Sequence, residues 1–119
     1  MRPGSDGVEL HPAVAPLAGE RLITKQAPNA FLGTPLEREL RERGVDQVVV
    51  CGMMTSMCVD ASVRAAADLG FAVTLVHDAC AAPALSFAGV EVAAPAVQAA
   101  FLGALADGYA SVVAAAELD

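Results

Sequence analysis

The chain has 119 residues, 55% apolar and 18% charged, with 14 acidic side chains against 7 Lys and Arg and a net charge of −7. That length suits a single domain with a modest core, and the apolar fraction excludes a disordered chain. The acidic balance argues against nucleic acid or an anionic membrane as partner and leaves a small molecule or another copy of the chain.

Aromatic residues are only 4% of the sequence and Trp is absent, so the core must be aliphatic, with alanine-rich helices packed closely. No apolar run approaches the roughly 18 residues needed to span a bilayer, and residues 1–7 carry no apolar signal core. A cytoplasmic protein is expected. Three cysteines, Cys51, Cys58 and Cys80, are an odd number with no C-x-x-C pair, which indicates neither a disulfide framework nor a zinc ribbon.

In chain order, residues 1–20 hold Pro3, Gly4, Gly7, Pro12, Pro16 and Gly19 and read as an irregular lead-in. The domain proper is expected over residues 21–119. Leu22, Ile23 and Thr24 make a short strand-like run with Lys25 at its C-terminal end, followed by a loop over residues 26–33. Thr34, Pro35 and Glu37 predict a helix start, with Thr34 as cap and Glu37 closing a capping box. On that helix Leu36 and Leu40 face the core. Glu37 with Arg41, and Glu39 with Arg43, form pairs four residues apart, and Gly44 ends the helix.

Val48, Val49, Val50 and Cys51 form an apolar run without alternation, the pattern of a parallel strand covered on both faces. A helix over residues 57–69 follows, with Val59, Val63 and Ala66 inward and Asp60 paired to Arg64, and Gly70 stops it. Residues 71–76 predict the next strand, completing a βαβ unit. Residues 78–94 read as a long loop able to line a site, Pro95 opens a helix to Ala106 with Val97, Phe101 and Leu105 buried, and residues 111–114 make the last strand. The expected fold is a three-layer α/β/α Rossmann-like parallel sheet of about four strands.

In such a sheet ligands sit beyond the carboxyl ends of the strands. Lys25 ends one strand, Cys58 follows a second across a short bend, and His77 and Asp78 end a third, so four reactive side chains fall on one edge. A thiol at the start of a helix is favoured as thiolate, the form that attacks carbon, because unpaired N–H groups and the helix dipole stabilise its charge. His77 is a candidate base for Cys58, although a histidine finishing a strand also serves structure, and Asp78 also suits a turn or cap. Cys51 and Cys80 read as strand and loop residues, and His11 carries no signal. The bend lacks the G-x-G-x-x-G spacing of a dinucleotide site.

The segment Val50-Cys51-Gly52-Met53-Met54-Thr55-Ser56-Met57-Cys58-Val59-Asp60-Ala61-Ser62-Val63-Arg64-Ala65-Ala66, with Asp68-Leu69-Gly70 and Asp78-Ala79-Cys80 after it, closely resembles the isochorismatase-like cysteine hydrolases. Thr24-Lys25, Asn29-Ala30-Phe31 and Gly33-Thr34-Pro35-Leu36 extend the resemblance, which covers about residues 8–117. It implies hydrolysis of a C–N bond in a small amide through a covalent thioester. Cys58 would be the nucleophile, Lys25 its partner, and the backbone N–H groups of Met54 and Cys58 the oxyanion hole. It also implies a cis peptide between Met53 and Met54.

No metal or other cofactor is expected. The family's catalytic Asp, at the end of a first strand, has no counterpart, since Asp6 is the only Asp before Lys25 and no strand precedes it. The chain is therefore expected to lack the fold's first strand or strands. General-base assistance of the kind that Asp gives is worth about 10²–10⁴-fold, so activity depends on what replaces it. A strand left at the sheet edge invites pairing with another chain, and a homo-oligomer is expected. The alternative is a non-catalytic remnant or subunit that keeps the fold and pairs with another chain.

Overall fold

The computed structural model describes residues 4–118. Its elements are α1 (Leu36–Glu42), β1 (Gln47–Met53), α2 (Asp60–Asp68), β2 (Ala72–Ala81), β3 (Leu85–Phe87), β4 (Val90–Val92), α3 (Ala94–Gly108) and β5 (Ser111–Val113), with a π turn over Thr55–Val59. β1, β2 and β5 form a parallel sheet in that order. With the helices packed on it, this is the arrangement of three-layer α/β/α folds. Among the described residues the parallel sheet has three strands where about four were expected, because the run at residues 22–24 forms no strand, and β3 and β4 pair with each other, antiparallel, in a separate two-stranded sheet.

Sequence signals at the helix ends act as read. After α1, Gly44 takes φ 68°, the Val45 N–H donates to Leu40 O and the Gly44 N–H to Arg41 O. Gly70 repeats the motif after α2 at φ 88°, with the Phe71 N–H on Ala66 O and its own N–H on Ala67 O. These paired bonds close the last turns and turn the chain into β1 and β2.

Other expectations change. Residues 21–25 pair with no strand, since three β-favouring residues with no neighbouring strand gain no ladder bonds. Arg21 instead reaches α1, its guanidinium donating to both Glu39 carboxylate oxygens at 2.9–3.1 Å. This replaces the expected Glu39–Arg43 pair and holds the Glu39 carboxyl below its usual range. Glu37 does not close the capping box; it lies 3.7 Å from Arg41, while Thr34 Oγ1 accepts the Leu36 N–H at 3.4 Å. Asp60 pairs with Arg64 at 3.0 Å, as read.

β1 is covered on one face only. Its burial alternates along the strand, and Val49 is 61% and Met53 70% exposed; it also lies at the sheet edge, with β2 as its neighbour among the described strands. β2 runs on through residues expected in a loop, and the register jumps from Val50–Leu75 to Gly52–Cys80. Cys51 thus faces a bulge of residues 76–79. The Gln98 side-chain amide, from α3, donates to His77 O at 3.3 Å and Cys80 O at 3.1 Å. It bonds one carbonyl within the bulge and one where the ladder resumes. The remainder of the expected loop is the β3–β4 hairpin, turned at Ala88 and Gly89, both at positive φ.

The core is small and aliphatic: Val59, Val63, Ala66, Val73, Leu75 and Leu105, joined by Phe71. Leu75 is fully buried on the central strand. Truncating it leaves a cavity that flanking strands cannot collapse into, so Leu75→Ala lowers the unfolding free energy by about 3 kcal/mol. Urea denaturation followed by circular dichroism measures this, and a loss below about 1 kcal/mol would contradict the packing described.

Candidate active site

β1 ends at Met53, and the peptide between Met53 and Met54 is cis. The chain then coils as the π turn over Thr55–Val59, in which Met54 O accepts the N–H groups of Met57 (3.0 Å) and Val59 (3.1 Å). The turn packs on β1, α2 and α3, and its apolar Val59 is buried in the core. Cys58 sits in this turn, half-buried, immediately before α2 begins.

Lys25 comes from the irregular segment before α1. Its Nζ donates to Cys58 Sγ at 3.3 Å and to Ala27 O at 2.7 Å. The contact sets a positively charged side chain directly against the sulfur. The second bond fixes the direction of a side chain that is otherwise exposed and rich in rotamers.

Both residues open into a cleft of about 450 Å³ between α1, α2 and the outer side of β1, lined by Phe31, Leu36, Leu40, Val48, Val50 and Met53 among others. The walls are apolar because the side chains facing it are mostly aliphatic or aromatic, and among the described strands none pairs with β1 on that edge. Lys25, Cys58, Cys51 and Ser62 bring the polar or reactive side-chain atoms to the lining, and no carboxylate or histidine lines it among the described residues.

Of the four side chains expected on one edge, the structure brings together Lys25 and Cys58. His77 and Asp78 lie within β2 on the bulge, since that strand does not stop at residue 76. His77 is exposed and outside the cleft lining. Asp78 Oδ1 accepts the Ala115 N–H at 2.8 Å, a structural bond to the turn after β5. Cys51 is exposed, whereas Cys80 is half-buried. Burial pushes the Cys80 thiol up, with a bond from the Gly52 backbone opposing it.

Ser62, on α2 one turn beyond Cys58, was not singled out by the sequence. Its hydroxyl accepts the Ala30 N–H at 3.0 Å and donates to Pro28 O at 3.3 Å. The signal that could have found it is its spacing, since positions four apart share a helix face. Thr55 and Ser56, which open the turn that holds Cys58, were also passed over. They are buried, and their hydroxyls have no hydrogen-bond partner among the described residues.

Comparison with known proteins adds to this geometry. The family model for the isochorismatase domain matches residues 1–90. An isochorismatase family protein of Bacillus subtilis is 46% identical over 112 residues, which is 94% of this chain and 62% of that protein. A maleamate amidohydrolase of Pseudomonas putida is 44% identical over 66 residues, covering 56% of this chain and 31% of that enzyme. Among solved structures, an isochorismatase hydrolase from Oleispira antarctica superposes with a TM-score of 0.92 at 45% identity, over 97% of this chain and 61% of the other. The chain spans less than two thirds of the length of each of these proteins.

Proposed function

This chain belongs to the isochorismatase-like cysteine hydrolase family, and from that premise we propose that it hydrolyses a C–N bond of a small amide, with Cys58 as nucleophile and Lys25 as its charged partner. The observation that carries the reading is the 3.3 Å contact between Lys25 Nζ and Cys58 Sγ at the mouth of an open cleft. The similarity to an amidohydrolase supports the bond type.

In the proposed reaction, the Cys58 thiolate attacks the amide carbonyl carbon. The carbonyl π electrons move to oxygen, where the backbone N–H groups of Met54 and Cys58 receive the negative charge. Collapse re-forms the carbonyl and breaks the C–N bond, and the leaving amine takes a proton from the Lys25 ammonium. Water then attacks the thioester carbonyl, neutral Lys25 takes the water's proton, and the thiolate leaves as the acid is released. Each proton given up by Lys25 is recovered, so the cycle closes without a cofactor. No carboxylate is used, in keeping with the lining of the cleft.

A direct test incubates the protein with a panel of small primary amides, maleamate among them, follows ammonia release, and quenches in acid for mass spectrometry. We expect ammonia together with an acyl adduct on the peptide carrying Cys58. Ammonia release with no adduct, and with the same rate after Cys58 is alkylated, would overturn the covalent route.

The exposed outer side of β1 favours a second reading. Val49 and Met53 are apolar and open there, and β1 contains no charged residue to discourage pairing. On this reading the chain keeps the fold and pairs with another chain along β1. Absence of turnover on the whole panel, with a stable dimer by light scattering, would favour it.

A further inference from the structure

Lys25 meets Cys58 without any help from regular structure, since residues 21–35 contain neither helix nor strand. The reach of its side chain must therefore be set by whatever holds that segment against α2. Within the segment, Asn29 Oδ1 accepts the Phe31 N–H at 2.9 Å and the Thr34 hydroxyl donates to Ala30 O, bonds that shape the loop without anchoring it. Phe31 stacks on Phe71 with ring centroids 6.0 Å apart, which attaches the far end of the loop to the core. Before Lys25, Arg21 ties the segment to α1 through Glu39; after it, the tie to α2 is Ser62. Its one hydroxyl takes the Ala30 N–H and gives its proton to Pro28 O, bridging the loop on both sides of Asn29.

We propose that Ser62 is a positioning residue that sets the Lys25–Cys58 contact, and so the reactivity of the thiol, by tying the lysine's loop to the helix that follows the nucleophile. The inference rests on the roles proposed above for Cys58 and Lys25. Two features make the tie effective. Ser62 and Cys58 are four residues apart and line the same cleft, so a bond to Ser62 is referenced to the nucleophile's own face. The tie is also double, one bond on each side of a single residue, which resists rotation of the loop as well as its withdrawal. A displacement of about 1 Å between reacting groups can cost about 10²-fold in rate.

Among the described residues, the elements packed against the turn carry no other cationic side chain in the cleft lining. β1 brings Cys51, α2 brings Asp60, Arg64 and Asp68, and α3 brings Asp107. Asp60 and Arg64 are held in their own ion pair. The lysine's position is therefore what a thiol reagent reads.

The test measures alkylation of Cys58 by iodoacetamide at neutral pH, together with the ultraviolet absorbance of its thiolate, in a Cys51→Ser background so that the exposed thiol does not compete. Ser62→Ala is expected to slow alkylation about tenfold and reduce the thiolate signal, while Ser62→Thr, which retains the hydroxyl, keeps both near the parent. Lys25→Met is expected to lower both as far, and adding Ser62→Ala to it changes nothing further. A folded Ser62→Ala protein with the parent's alkylation rate overturns the inference, as does an equal loss in the Lys25→Met background. Should Ser62→Ala fail to fold, Ser62→Val and Ser62→Thr, alike in size and differing in the hydroxyl, ask the same question. Slow alkylation in Lys25→Met with the parent's rate in Ser62→Ala overturns this inference alone. The parent's rate in Lys25→Met overturns the role of Lys25 and this inference with it.

Discussion

Cys58→Ser is expected to abolish amide turnover, lowering kcat/KM by about 10⁴-fold or more, while leaving the fold and the cleft intact. Serine is close to cysteine in size, and position 58 is half-buried in a turn held by its backbone, with Met54 O accepting from Met57 and Val59. The structural cost is therefore small. The chemical cost is large, because a serine hydroxyl stays protonated beside an ammonium and no carboxylate or histidine among the described residues lines the cleft to accept its proton. At the attack step of the proposed reaction Lys25 is a positive charge beside the nucleophile and not a base that could create an alkoxide. Steady-state ammonia release checks the rate, and circular dichroism checks the fold. A folded Cys58→Ser protein that retains a tenth of the parent's kcat/KM would exclude the thiol as nucleophile.

The parts of this site that were legible in the sequence are those set by local spacing. The order strand, bend, helix, strand from Gln47 to Val76 is written in apolar runs separated by Gly52 and Gly70, and it puts Cys58 just after β1 as expected, although the helix expected from residue 57 is a π turn up to Val59 and begins as α2 at Asp60. The ends at Gly44 and Gly70 follow from one residue type each. What depended on partners distant in sequence was not legible. Val48 to Cys51 reads as a strand covered on both faces, yet whether the second face is covered depends on what packs there, which the run itself does not encode, and here that face, with Val49 and Met53, is exposed. Glu39 had a plausible partner four residues away in Arg43, but Arg21, 18 positions earlier, offers a bidentate geometry that an exposed helix pair does not match. The bulge opposite Cys51 and the Gln98 amide that bonds its carbonyls have no periodic signature at all. The Lys25–Cys58 contact is intermediate. Its two residues stood out through the family resemblance, but the Ser62 tether beside it comes from an irregular loop whose path only the fold reveals.

Lys25 carries the second large effect, and its two proposed tasks can be separated. As a charge it holds the thiolate; as an acid it supplies the proton on which the amine departs. Lys25→Met removes both and keeps the apolar stem, so kcat/KM is expected to fall about 10³-fold. That figure is close to one general-acid contribution of about 10²–10⁴-fold, with a further loss of thiolate that is not fully additive. Lys25→Arg keeps a permanent positive charge but cannot release a proton, since the guanidinium stays protonated throughout the working range. It should therefore restore much of the alkylation rate of Cys58 while leaving turnover depressed by about 10²-fold. Full turnover in Lys25→Arg would show that the charge alone suffices and that water carries the proton to the amine. Parent-like kcat/KM in Lys25→Met would remove Lys25 from the reaction altogether. A primary-amide substrate and an activated ester sharpen the distinction further, because an ester's leaving group departs without a proton. Loss of turnover in Lys25→Arg confined to the amide would locate the proton transfer at C–N cleavage, the step at which Lys25 Nζ, already 3.3 Å from the sulfur, lies near the departing nitrogen.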